Sequence, residues 1–233
     1  MSDAPDGSTV HAAFVTTERR RLTEAVRHLV DAVLTFEDAT EEQLGTAADM
    51  AEAVARHLGR APHDDDRGVR ARRELEHTDY LPRSPLVGEV SPVAPPFAWQ
   101  VAEGELRMRG TYHAAYEGPP GYVHGGWVAL TFDELLGMAN IASGHPGMTG
   151  TLKIRYLRPT PLHAEVELVG RTDRVEGRRI VAKGRMTVDG ELTAEAEGLF
   201  VVIDAERAME YFGRTRGEAA PAGVDEGVNK DEV

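Results

Sequence analysis

Between Gly121 and Gly137 the chain reads Gly-Tyr-Val-His-Gly-Gly-Trp-Val-Ala-Leu-Thr-Phe-Asp-Glu-Leu-Leu-Gly, a loop that runs into a nearly continuous apolar helix. A helix that is apolar on most sides has to be covered on most sides, so the remainder of the chain must enclose this segment. Two adjacent carboxylates, Asp133 and Glu134, sit inside it. A carboxylate is among the residues least often buried without a partner or a task, and this pair therefore marks the segment as more than a core helix.

The material that encloses it is read from periodicity. Around the helix the pattern is that of strands: Phe97 to Val101 and Glu105 to Tyr116 before it, then Thr149 to Leu157, Ala164 to Thr172, Arg178 to Val188 and Glu191 to Ile203 after it. Glu103-Gly104, Glu176-Gly177 and Asp189-Gly190 are turn signals, the last one the strongest because Asp-Gly tolerates the positive φ angles of a type I′ hairpin. An antiparallel sheet interrupted once by an apolar helix predicts an α+β fold in which the sheet curls over that helix.

Upstream, Leu22, Val26, Leu29, Val30, Val33 and Leu34 recur at the spacing of one helix face, and a second helix opens with Thr40 and Gln43 in capping-box spacing and closes at Gly59. Residues 1–60 are thus a helical extension, expected as a hairpin packed on the main domain or on a partner subunit. Residues 61–90 read as a proline-rich and charged linker. The triplet Asp64-Asp65-Asp66 within it is solvated charge rather than a metal site, because consecutive side chains do not converge on an ion without a shaped loop. Residues 206–233 form a short C-terminal segment and an acidic tail expected to be disordered.

Composition narrows the functions. The chain has 233 residues and a net charge of −13, which argues against a broad basic surface for nucleic acid. It has no cysteine, which excludes a disulfide framework, a thiolate nucleophile and cysteine-based metal sites. The N-terminus lacks a basic flank followed by an apolar run, and no stretch approaches a bilayer span, so a cytoplasmic protein is expected.

Several pieces, in order, resemble a known family. Pro119-Pro120-Gly121-Tyr122-Val123-His124-Gly125-Gly126 stands at the helix entrance, Phe132-Asp133-Glu134 lies inside the helix, and Met148-Thr149 leads into Ile154-Arg155-Tyr156-Leu157-Arg158-Pro159. Together they resemble the hotdog fold and, more narrowly, the PaaI-type acyl-CoA thioesterases, over residues 91–205. The resemblance implies hydrolysis of an acyl-CoA to free acid and coenzyme A, as in fatty acid metabolism. Asp133 would be nucleophile or general base, a Gly125 or Gly126 amide would polarise the carbonyl, and Thr149 would orient the carboxylate. It also implies a homodimer, or a homotetramer, with composite sites in which one chain supplies the glycines and the other supplies Asp133 and Thr149. Coenzyme A enters as part of the substrate; no metal or other cofactor is implied.

The chemistry is consistent with those roles. Thioester hydrolysis needs a base or nucleophile and positive potential at the carbonyl oxygen, and the unpaired amides of a helix N-terminus supply such potential. Asp133 lies about 12 Å along the helix from the glycines, at about 1.5 Å per residue, which is far for one chain to span. His124 is expected to fix the loop by hydrogen bonding. Trp127, with Leu130, Phe132 and Trp99, would line the acyl pocket, and Arg155 and Arg158 would grip coenzyme A phosphates. Competing readings remain. Asp133 could be a structural partner of Arg155 or Arg158, Glu134 could exchange roles with Asp133, and Thr149 could simply begin a strand. The chain could also be a silent acyl-CoA binding or assembly module. A hotdog enoyl hydratase or dehydratase is disfavoured because the Asp-x-Asn-x-His pattern is absent. One departure from the wider family is the lack of Asn or Gln in Tyr116-Glu117-Gly118-Pro119-Pro120.

Overall fold

The computed structural model describes residues 15–59 and 81–202. The acidic triplet at 64–66 and the tail at 206–233 lie outside the described residues. The main body is a six-stranded antiparallel sheet: β1 (Ala98–Ala102), β2 (Glu105–Thr111), β3 (Met148–Tyr156), β4 (Glu165–Glu176), β5 (Arg179–Val188) and β6 (Glu191–Val201). Their spatial order is β1-β2-β4-β5-β6-β3, so β1 and β3 are the edges. Two helices, α1 (Thr17–Thr35) and α2 (Glu41–His57), precede the sheet, and α3 (Gly125–Ala142) lies in its concave face.

The hairpins follow the expected turns. Asp189 and Gly190 both have positive φ (50° and 78°), as do Glu103 and Gly104 (55° and 76°), which matches the twist of the flanking strands. Two strand boundaries move by more than two residues. β2 ends at Thr111, and Ala114–Tyr116 is a 3-10 turn that packs against α1, while β4 runs on to Glu176 through a bulge between Thr172 and Arg174.

Glycine brings the sheet close to α3. Gly170 of β4 pairs with Gly184 of β5, and Gly198 of β6 is opposite Ala182. A Cβ at Gly170 would stand 2.7 Å from Leu135 Cγ, and one at Gly184 would be 3.1–3.3 Å from Leu135, Leu136 and Phe132. The helix thus presses into the sheet at backbone distance, which explains why Phe132, Leu135 and Leu136 are fully buried. Leu168, Ile180, Met186 and Phe200 complete this core.

The sheet does not cover the whole helix. Leu130 (41% exposed), Asp133, Glu134, Gly137 and Ile141 (63% exposed) form a stripe at i, i+3, i+4, i+7 and i+11, left open beside edge strand β3. The two carboxylates are therefore half-buried, on a side of the apolar helix that the sheet leaves uncovered.

The expected linker is different over its described part. Leu81–Arg83 is a 3-10 turn, and Ser84, Leu86, Val87 and Val90 are buried against the body. Proline density gave the impression of a spacer, whereas the apolar residues between the prolines decide its burial. Among the described residues, the expected helical hairpin is docked through α1: Thr23 is buried, Arg27 donates to the Ser91 carbonyl (2.9 Å), and Arg20 pairs with Glu89. Helix α2 has the capping box of Thr40 and Gln43 but buries no residue, and Leu29, Val33, Leu34, Leu44, Met50 and Val54 are exposed.

Candidate active site

The entrance to α3 is built by a short hairpin-like loop. Glu117 bridges Val123, Tyr122 bridges Pro161, and the His124 N–H donates to the Tyr116 carbonyl (2.9 Å). Gly118 is required here, since a Cβ on it would stand 2.7 Å from His124 Cα. His124 then caps the helix: its Nδ1 accepts from the Gly126 N–H (2.9 Å), a part more often played by a Ser, Thr, Asn or Asp oxygen. The Trp127 and Val128 amides donate to the His124 carbonyl (2.9 and 3.3 Å). Among the described residues, the Gly125 N–H has no protein acceptor, which separates two glycines that the sequence leaves equivalent.

Asp133 accepts a hydrogen bond from Thr149 Oγ1 at 2.7 Å on its Oδ1. Thr149 is the second residue of β3, beside a register shift between Thr149 and Thr151 that makes Gly150 the extra residue of a bulge. Bulges re-aim side chains. Asp133 has no ion pair among the described residues: Arg155 pairs with Glu195 (2.5 Å) and Arg158 with Glu191, both across to β6. The pairing of Asp133 with either Arg is thus not what the structure contains.

Glu134 does not share the role of its neighbour. Its Oε1 accepts from Ser84 Oγ (2.9 Å), and the Ser84 hydroxyl also receives the Leu86 and Val87 amides. Burial raises the Glu134 carboxyl above its ordinary value of 4.5, the Ser84 hydrogen bond opposes this, and the Asp133 charge adds to it. The folded state therefore holds the proton more tightly than the unfolded chain. Any stability this carboxyl contributes is fully present below its unfolded value and is lost as pH rises through the raised folded value. A Glu134→Gln variant, whose amide oxygen can still accept from Ser84, is expected to gain stability over wild type at neutral pH and to lose that advantage near pH 4. Denaturant midpoints across pH check this.

A groove of about 510 Å³ lies against Gly125, walled by Tyr122, Tyr156, Leu157, Arg158 and Pro159. The expected pocket residues divide. Trp127 packs edge-on against Tyr116 (4.9 Å between centroids), Phe132 is fully buried in the core, and Trp99 lies on β1 at the far edge of the sheet. Leu130 and Arg158 remain accessible. Sequence reasoning missed Ser84, hidden in the proline-rich stretch, and Tyr156, whose Oη donates to the Gly125 carbonyl at 2.9 Å. Nothing in a linear reading joins residues 31 positions apart.

Comparison with known proteins agrees with this fold. The thioesterase superfamily model matches residues 120–195, from the end of the entrance loop through α3, β3, β4 and β5 into the first half of β6. The mouse acyl-coenzyme A thioesterase THEM4 is 34% identical over 95 residues, 40% of this chain and 41% of the relative. The bovine THEM4 is 35% identical over 94 residues, 40% and 38%. The chain thus spans about two fifths of the curated relatives it matches. A crystal structure of a thioesterase superfamily protein superposes with a TM-score of 0.68 at 34% identity, covering 78% of this chain and 90% of that one. That is a larger share than residues 91–205 alone can provide, so the likeness reaches into the N-terminal part. With its antiparallel sheet curled around α3, the chain belongs to the hotdog-fold thioesterase superfamily.

Proposed function

We propose that this chain hydrolyses an acyl-CoA thioester to free acid and coenzyme A. The observation that carries the reading is the pairing of Asp133 with Thr149 at 2.7 Å on the uncovered stripe of α3, while the same helix presents an unpartnered Gly125 N–H at its N-terminus. A tetrahedral thioester intermediate needs both a carboxylate and an oxyanion donor.

Asp133 would use the oxygen that Thr149 leaves free. It either attacks the carbonyl carbon to give an anhydride that water then opens, or takes a proton from the attacking water. In both routes the C–S bond breaks, and the thiolate of coenzyme A leaves and takes up a proton. The Gly125 N–H would hold the carbonyl oxygen as it gains charge, with the N-terminal end of the helix dipole adding to it. His124 acts here as the cap that occupies the Gly126 amide, not as a proton carrier.

The eight steps from Gly125 to Asp133 correspond to about 12 Å of helix at about 1.5 Å each, too far for one carbonyl group to meet both. A second copy resolves this. Pairing two chains at the open β3 edge would cover the stripe of Leu130, Gly137 and Ile141 and set the Asp133 of one chain against the Gly125 of the other.

The test is coenzyme A release from short, medium, long and aromatic acyl-CoAs by the purified protein. Turnover on any class supports the reading and identifies the acyl group. Calorimetric binding of acyl-CoA with no turnover on the whole panel would make the chain a binding module instead.

A further inference from the structure

We propose that Tyr156 is a positioning residue for the oxyanion donor, an inference that rests on the thioesterase reading. Two peptide groups flank Gly125 Cα, and together they present two carbonyls and two N–H groups. The His124 carbonyl accepts from the Trp127 and Val128 amides. The Gly126 N–H donates to His124 Nδ1, and the Gly125 carbonyl accepts from Tyr156 Oη at 2.9 Å. Three of the four groups are thereby held by the protein, and the fourth, the Gly125 N–H, is the one left for substrate.

Glycine has no side chain to limit its torsions, so the direction of its N–H must be set from outside. The Trp127 and Val128 amides hold the peptide that carries this N–H, and Tyr156 holds the next peptide from another element, so the torsions of Gly125 between the two are fixed. The ring Cε1, Cζ and Oη of Tyr156 lie 3.5–3.6 Å from the place a Cβ on Gly125 would occupy, which seats the ring against the bare face of the glycine. The Tyr156 hydroxyl and the His124 ring then grip opposite ends of the same Gly125–Gly126 peptide.

The location gives the contact a second consequence. β3 begins beside Thr149, which holds Asp133, and ends at Tyr156, which holds Gly125. In a dimer with composite sites, Asp133 and Gly125 of one chain serve different sites. One strand therefore sets the carboxylate of one site and the oxyanion donor of the other.

Tyr156→Phe keeps the ring in the groove and deletes the hydroxyl. Under saturating acyl-CoA its kcat should fall by about tenfold with KM within about twofold, at unchanged Tm and oligomeric state, because the lost contact orients a transition-state donor and does not bind ground-state substrate. In protein labelled with nitrogen-15 glycine, the Gly125 and Gly126 amide resonances should move while Gly170 and Gly184 stay in place. An unchanged kcat, or a kcat loss that follows a lowered Tm, overturns the proposal. If wild type turns over nothing on the panel, the thioesterase reading fails and the resonances still decide the clamp: displaced Gly125 and Gly126 signals support it, and unmoved ones overturn it.

Discussion

Asp133→Asn should lower coenzyme A release by about 10³-fold with little change in KM, the scale expected when a positioned base or nucleophile is removed. The substitution is nearly isosteric, and Thr149 Oγ1 can still donate to the Asn Oδ1 over the same 2.7 Å contact, so the helix and the bulge in β3 have no reason to move. Glu134→Gln, one residue on, should stay within about twofold of wild type, because Glu134 is occupied by Ser84 and its loss removes no transition-state contact. Steady-state kinetics on the best substrate of the panel measures both. Equal turnover in wild type and Asp133→Asn would make the carboxylate structural; loss in Glu134→Gln alone would exchange the two roles.

Mixing two inactive variants should restore activity. Gly125 occupies the first position of α3, where proline is well tolerated, and His124 before it is extended (φ −61°, ψ 131°), the conformation that a following proline favours. Gly125→Pro thus deletes the N–H while fitting the backbone. Each variant alone has no intact site. In a heterodimer, the Asp133→Asn chain contributes its Gly125 and the Gly125→Pro chain contributes its Asp133, so one of the two composite sites is whole. With random exchange of subunits the mixture should reach about a quarter of wild-type turnover, as the two-fold symmetry of the pair requires. A mixture as inactive as its components, with exchange verified by mass spectrometry, would place both groups of the site within one chain.

The parts of this molecule that follow local rules were legible in its sequence. The Asp189-Gly190 and Glu103-Gly104 turns, the capping box of Thr40 and Gln43, and the apolar helix between strands each depend on residues a few positions apart. The partnership of Asp133 with Thr149 came from resemblance to a family, since period and propensity do not link a helix residue to a strand residue 16 positions away. What the sequence left undecided depended on side-chain contacts that period and propensity do not specify. Gly125 could be told from Gly126 only once the ring of His124 was seen to take one of the two amides. Arg155 and Arg158, expected as phosphate ligands, stand beside Glu195 and Glu191, neighbours that only the folded sheet brings to them. Ser84 was concealed by the prolines around it, although Leu86, Val87 and Val90 were a local signal of burial that the proline count outweighed.

The glycine contacts beneath α3 bear on how this scaffold could be retuned. Where Gly170 and Gly184 let Leu135 and Leu136 rest on the sheet backbone, no slot remains for an acyl tail between helix and sheet. Under the proposed reading the tail runs between the outer stripe and the partner that covers it, with Leu130, Gly137 and Ile141 as its ruler. Changes there would alter chain-length preference without disturbing the core of the single chain. Changes on the inner side of the same helix would empty or overfill the core. One helix thus keeps selectivity and foldability on opposite sides, which makes the substrate range a trait that can drift without unfolding the protein.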